Sequence, residues 1–156
     1  MARRKGGRER IDEPLPEKPV VIVDIDGTLA NHEGLRSPFH WHKVGRDRPY
    51  EVVCRWVRHL VPDYAVFVVS GRDSVSRRDT EAWLARYGIK YDRLYMRPQR
   101  DSRADTIVKK EILDLILRQI PKEQIAFVID DRPSVVQMWR DNGLRVFPAR
   151  GAIAPF

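Results

Sequence analysis

The sequence predicts an α/β fold, a parallel sheet covered by helices on both faces. Three observations predict it. From residue 20 onward, strand-like and helix-like patterns alternate. The strand-like runs Val20-Val23, Val66-Val69 and Ile125-Ile129 are continuously apolar, as strands buried on both faces are. Asp24, Ser70 and the pair Asp130-Asp131 directly follow those runs, at predicted strand C-termini, where open α/β sheets bind ligands.

The elements follow in order. Residues 1–19 are polar, with Gly6-Gly7 and Pro14, Pro16 and Pro19, and read as a basic flexible N-terminal arm. Residues 20–156 read as one domain. Val20-Val23 is a strand. Residues 31–50 form a long loop rich in His, Arg, Pro and Gly. Residues 51–60 place Val52, Val53, Trp56, Val57 and Leu60 on one helical face. Tyr64-Val69 is a strand ending at Ser70-Gly71-Arg72, and residues 78–87 are a helix closed by Gly88. Arg93-Met96 is a short strand. Residues 105–119 form an amphipathic helix with Ile107, Val108 and Ile112 on its apolar face. Ile125-Ile129 is a strand; Pro133 suits the first turn of a helix that Gly143 closes, and Leu144-Phe147 is the last strand. Helices between strands imply right-handed crossovers and a parallel sheet.

Composition bounds the function. The 156 residues suit a single core, and no apolar run approaches the roughly 20 residues that span a bilayer. The basic N-terminus lacks the apolar stretch of a secretory signal. A single cysteine, Cys54, allows no internal disulfide and reads as a buried small hydrophobe, so a reducing cytoplasm is expected. The formal charge is +7, and residues 1–10 hold five basic groups against one acid. Such a tail favours polyanions, nucleic acid among them, or simply solvates the chain.

The chemistry concentrates in four places. In Asp24-Ile25-Asp26-Gly27-Thr28, aspartates spaced by two at a strand exit can point the same way. One can attack a phosphorus while the other holds or moves a proton. Ile25 can anchor the turn, and the Thr28 hydroxyl can fix the loop or touch a phosphate oxygen. In Val69-Ser70-Gly71-Arg72, Ser70 can donate to a phosphate oxygen or cap the next helix. The Arg72 fork suits bidentate phosphate recognition, unless it is a surface charge. Asp105 and Lys109 stand one helical turn apart and can pair, which favours Lys109 over Lys110 as the site's cation. Two adjacent acids, Asp130 and Asp131, need a cation or hydrogen bonds to offset their repulsion. Asp131 is expected to ligate Mg²⁺, with Asp130 as a ligand or its support. His40-Trp41-His42 has no further Cys or His cluster to complete a zinc site; Trp41 can stack on a base or pack against the core.

Together these segments resemble, in order, the four motifs of the haloacid dehalogenase (HAD) phosphohydrolase superfamily, which implies a HAD-like Rossmannoid fold. With Val108-Lys109-Lys110-Glu111-Ile112 and Val135-Val136-Gln137-Met138-Trp139-Arg140, the chain over about residues 20–148 resembles the 3′-phosphatase domain of phage polynucleotide kinase-phosphatase. The resemblance implies Asp24 as the nucleophile of a phospho-aspartyl intermediate. It implies Asp26 as the acid and base, with its backbone carbonyl on the metal. Ser70 and Lys109 would bind the transferring phosphate, with Arg36, Arg72, Arg100 and Asp105 near the substrate. No segment reads G-x-x-x-x-G-K-[ST], so no kinase activity is expected of these residues.

The expected function is a Mg²⁺-dependent phosphatase acting on 3′-phosphate ends of DNA or RNA, or on nucleoside 3′-phosphates. A kinase or ligase of the same repair pathway is the expected partner, and no membrane is. About 40 residues separate the first two motifs, which leaves room only for a minimal cap, and an open site suits a polymer end. One rival is a small-molecule HAD phosphatase such as a nucleotidase. The other is a nucleic-acid-binding module with a vestigial site, against which the presence of both Asp24 and Asp26 argues.

Overall fold

The computed structural model of the protein describes residues 14–31 and 40–149. Strand β1 (Val20–Val23) leads into a tight turn and the two-residue strand β2 (Ala30–Asn31). A 3-10 turn (Trp41–Arg46) precedes β3 (Arg48–Pro49), which pairs antiparallel with β2. Helix α1 (Glu51–Leu60), strand β4 (Ala65–Asp73), a 3-10 turn (Ser74–Ser76) and helix α2 (Arg77–Arg86) follow. The chain then runs through β5 (Arg93–Arg97), α3 (Asp105–Leu117), a 3-10 turn (Lys122–Gln124), β6 (Ile125–Asp130), α4 (Pro133–Asp141) and β7 (Val146–Pro148). No described helix is long and apolar enough to cross a membrane.

The main sheet has the order β5-β4-β1-β6-β7, and all its pairings are parallel. Alternation along β1 divides the core. Val20 and Ile22 pack with Val108, Leu113, Ile116, Val135 and Trp139 of α3 and α4. Val21 and Val23 pack with Cys54, Val57, Trp83 and Leu84 of α1 and α2. This is the predicted α/β sheet with helices on both faces. The chain leaves β1 toward β4 but leaves β6 toward β7. The crevice between the C-terminal ends of β1 and β6 is therefore the topological switch point, where such sheets bind ligands.

Several expectations are corrected. Within the expected loop 31–50, described residues form the β2–β3 pair and the Trp41–Arg46 turn. The apolar face of α1 is rotated: Cys54 and Val57 are buried, whereas Val52 is exposed, and the Trp56 ring stacks on Phe127 at the sheet margin. Ile107 of α3 is likewise half exposed, its place in the core taken by Leu113 and Ile116. Strand β4 runs on through Ser70, Gly71 and Arg72 to Asp73, with a register irregularity against β5 between Ser70 and Asp73. Asp73 rather than Ser70 caps the next turn, accepting from the Val75 amide. At the N-terminal end of the sheet, Gln124 Nε2 donates to the Pro16 and Lys18 carbonyls, and Ala65 N to that of Pro19. Residues 1–13 of the expected arm lie outside the described residues.

Candidate active site

The turn after β1 is built on Ile25, which is fully buried and whose carbonyl accepts from the amides of Thr28, Leu29 and Ala30. This wraps residues 26–29 over the end of the strand and leaves Asp24 at the switch point. Gly27 sits at φ 83°, and a Cβ there would lie 2.0 Å from Asp131 Oδ2. The turn from the first strand and the carboxylate from the sixth therefore meet only because residue 27 has no side chain.

Asp24, 5% exposed, is held from two sides. Lys109 Nζ donates to its Oδ1 at 2.8 Å, and Thr28 Oγ1 to its Oδ2 at 2.9 Å. Lys109 is buried, and its ammonium also donates to Asp130 Oδ2 at 2.8 Å. Asp130 is saturated: Oδ2 accepts also from Trp139 Nε1, and Oδ1 from the amides of Asp131 and Arg132. Asp131 is the more open of the two acids.

Oxygens of Asp24, Asp130 and Asp131 lie within 4.8 Å of one another. Burial, then the facing Asp130 and Asp131, pushes the Asp24 carboxyl well above its ordinary value, with Lys109 opposing. Burial also raises Asp131, with Asp130 adding to the effect. Burial alone would lower Lys109, but Asp130 and Asp24 outweigh it and hold the ammonium protonated. Three crowded carboxylates against one ammonium leave negative charge in excess. An all-oxygen donor set of this kind fits a hard divalent cation such as Mg²⁺.

Asp26 faces a different group. Its carboxylate accepts from Arg72 Nε (3.1 and 3.2 Å) and Nη2 (2.9 Å). Arg72 is fully buried and also donates to Asp47 Oδ2 (2.7 Å) and Thr80 Oγ1 (3.2 Å). The expected contact of Arg72 with phosphate is therefore corrected: its fork is spent on two aspartates and a threonine. Asp47 did not stand out in the sequence. Its only signal was an acid inside a basic stretch, Lys43-Val44-Gly45-Arg46-Asp47-Arg48. Its backbone carbonyl accepts from Trp83 Nε1 at 2.8 Å, which fixes the Trp41–Arg46 turn to α2.

The Asp105–Lys109 pair is also corrected. Two buried carboxylates draw Lys109 inward, and Asp105 pairs instead with Arg97 and Arg132. Asp105 lies against Gly71, where a Cβ would come within 2.6 Å of Oδ1. Ser70 is buried at its strand position, and its Oγ accepts from the Arg72 amide at 3.1 Å. Lys110 pairs with Asp114 on the surface. Arg100 is exposed on the loop after β5, and its amide donates to Asp73 Oδ2 at 2.9 Å. Arg36 lies outside the described residues. His40 and His42 stand side by side, apart from the one acidic group found among the described residues that could hold a metal.

Comparison with known proteins shows the family. Residues 18–151 match the family described as the polynucleotide kinase PNKP phosphatase domain. Over 124 residues the chain is 33% identical to a protein of Autographa californica nuclear polyhedrosis virus, named as a bifunctional polynucleotide kinase/RNA ligase, covering 78% of this chain and 18% of that protein. A chain in the structure described as the Pnkp1/Rnl/Hen1 complex superposes with a TM-score of 0.76 at 38% identity, covering 85% of this chain and 45% of its own. One in the structure described as the Pnkp1/Rnl/Hen1 RNA repair complex gives 0.75 at 34%, covering 90% and 46%. The chain thus spans less than half the length of these relatives. It belongs to the polynucleotide kinase PNKP phosphatase-domain family of HAD phosphatases.

Proposed function

We propose that this chain removes the phosphate from 3′-phosphorylated nucleic acid ends, or from nucleoside 3′-phosphates, through a phospho-aspartyl intermediate on Asp24. The observation that carries the reading is Asp24 at the switch point, its carboxylate fixed by Lys109 and Thr28 and crowded by Asp130 and Asp131. Asp24 attacks the phosphorus and the bond to the 3′-oxygen breaks. Asp26 gives its proton to that oxygen. In the second half Asp26 takes a proton from water, the water oxygen attacks the phosphorus, and the Asp24 carboxylate is released with inorganic phosphate. Lys109 and the Ser70 hydroxyl stabilise the charge of the transferring group. Asp24 and Asp131 would hold Mg²⁺, with Asp130 supporting the site through Lys109 and the Asp131 amide, and the ion when bound offsets the phosphate charge.

Arg72 and Asp47 act through Asp26, fixing the carboxylate of the proton-transfer group. Among the described residues the cover is the β2–β3 pair and the Trp41–Arg46 turn, and a lightly covered site suits a polymer end. The names of the relatives support RNA ends as substrates, and a kinase or ligase as the enzyme acting next.

The test is phosphate release from a 3′-phosphorylated oligonucleotide with Mg²⁺, beside 5′-nucleotides and sugar phosphates. Wild type is expected to prefer the 3′-phosphorylated end, and Asp24→Asn to fall at least about a thousandfold. A clear preference for the small esters would overturn the reading.

A further inference from the structure

Arg100 is the one described residue other than glycine with a positive φ, 64°. An L side chain is strained there, and glycine is not. An arginine at such a position lowers stability where glycine would not, which makes the side chain a candidate for a use.

The loop after β5 is built to hold it. Arg97 is buried at the end of β5, and its guanidinium donates to the carbonyls of Gly71, Asp101 and Arg103, so residues 98–103 wrap around it. At the apex, the Arg100 amide donates to Asp73 Oδ2, while Asp73 Oδ1 accepts from Val75 N. One nearly buried carboxylate thus joins this loop to the strand end that carries Ser70 and Arg72. Of the three arginines here, Arg97 is committed to Asp105, and Arg103 to Asp101 and Glu111. The Arg100 guanidinium has no partner among the described residues, and it stands exposed at the same sheet edge as Asp24.

We infer that Arg100 binds the phosphodiester adjoining the terminal 3′-phosphate, with Asp73 as its positioning residue. The inference rests on the proposed phosphatase reading and adds the basis of selectivity. A nucleoside 3′-phosphate lacks that phosphodiester; an oligonucleotide has it. Arg100 would therefore set the preference for polymer ends, and through one cation–phosphate contact its salt dependence.

The experiment compares wild type, Arg100→Gly, Arg100→Ala and Asp73→Ala on a 3′-phosphorylated oligonucleotide and on a nucleoside 3′-phosphate across a salt series. Arg100→Gly relieves the strained φ, so it is expected to melt higher while its kcat/KM ratio of oligonucleotide to nucleoside falls about tenfold. The salt slope of oligonucleotide KM is expected to fall by a little under one unit. Asp73→Ala should lower the same ratio, and lower it no further in the Arg100→Ala background. A ratio and slope equal to wild type in both Arg100 variants would overturn the inference. If wild type turns over neither substrate, the phosphatase reading falls instead. Oligonucleotide binding by Asp24→Asn protein with and without Arg100→Ala then decides Arg100, equal affinities overturning it.

Discussion

Lys109 illustrates what a residue reveals before its surroundings are known. Its spacing from Asp105 favours it over Lys110, and that is not the pair it makes. Helical spacing offers Asp105, whereas burial delivers Asp24 and Asp130. Sequence spacing reports neighbours on one helix, and the strongest field on a buried ammonium comes from other strands. Arg72 is the same case: a fork fit for phosphate is equally fit for two carboxylates. Cys54 was legible, because a lone cysteine on an amphipathic helix packs as a small hydrophobe. Its thiol is buried, near the Leu29 carbonyl, and burial pushes it from 9.0 up to about 11. The unfolded thiol ionises first, so native stability due to this group is intact below pH 9 and is lost as pH rises toward 11. The loss is at most about 2–3 kcal/mol. Urea unfolding of wild type and Cys54→Ala at pH 8, 9.5 and 10.5 checks this. The stability advantage of wild type should shrink over the series, and a constant difference would refute it.

At the scale of elements, the strands and helices were legible because buried parallel strands are apolar throughout and helices carry their own period and stops. Most ends moved by only a residue or two, as helix and strand ends do. Two things escaped. Ser70-Gly71-Arg72 looked like a loop, yet these residues continue β4, since Arg72 is drawn into the interior by Asp26 and Asp47. The Trp41–Arg46 turn has no periodicity to betray it. Its order comes from tertiary bonds, the Trp83 indole on the Asp47 carbonyl and the Asp47 carboxylate on Arg72. That turn should therefore matter to the chemistry without touching substrate. Asp47→Asn leaves Arg72 with one charged partner in a buried setting, and breaking such a pair costs about 3–5 kcal/mol at most. Expected are a midpoint shift in urea and a fall in kcat of about tenfold or more, with KM little changed. A variant that loses stability while keeping kcat would make Asp47 purely structural.

Across the whole molecule, convergence was the legible property. Asp24, Ser70 and Asp130-Asp131 come from three separate stretches that reach one sheet edge, because parallel topology places every strand C-terminus there. Helix α3 then brings Lys109 onto Asp24 and Asp130. Charge distribution is the other property of this scale. The net +7 is unevenly spread, with Arg3, Arg4, Lys5, Arg8 and Arg10 at one end of the chain. We expect these residues to raise affinity for a polyanion without taking part in the chemistry. The structure supports a clean cut, because the carbonyls of Pro16, Lys18 and Pro19 accept hydrogen bonds from Gln124 and Ala65 and so must stay. Removing residues 1–13 keeps those contacts and deletes all five cations. On a single-stranded 3′-phosphorylated oligonucleotide, the log–log salt slope of binding should fall by up to about 3.5, at about 0.7 per phosphate neutralised. Turnover of a nucleoside 3′-phosphate should persist, since that substrate offers no further phosphates to grip. Equal loss on both substrates would mean that these residues support the fold or the site directly, and the electrostatic account of the basic end would be wrong.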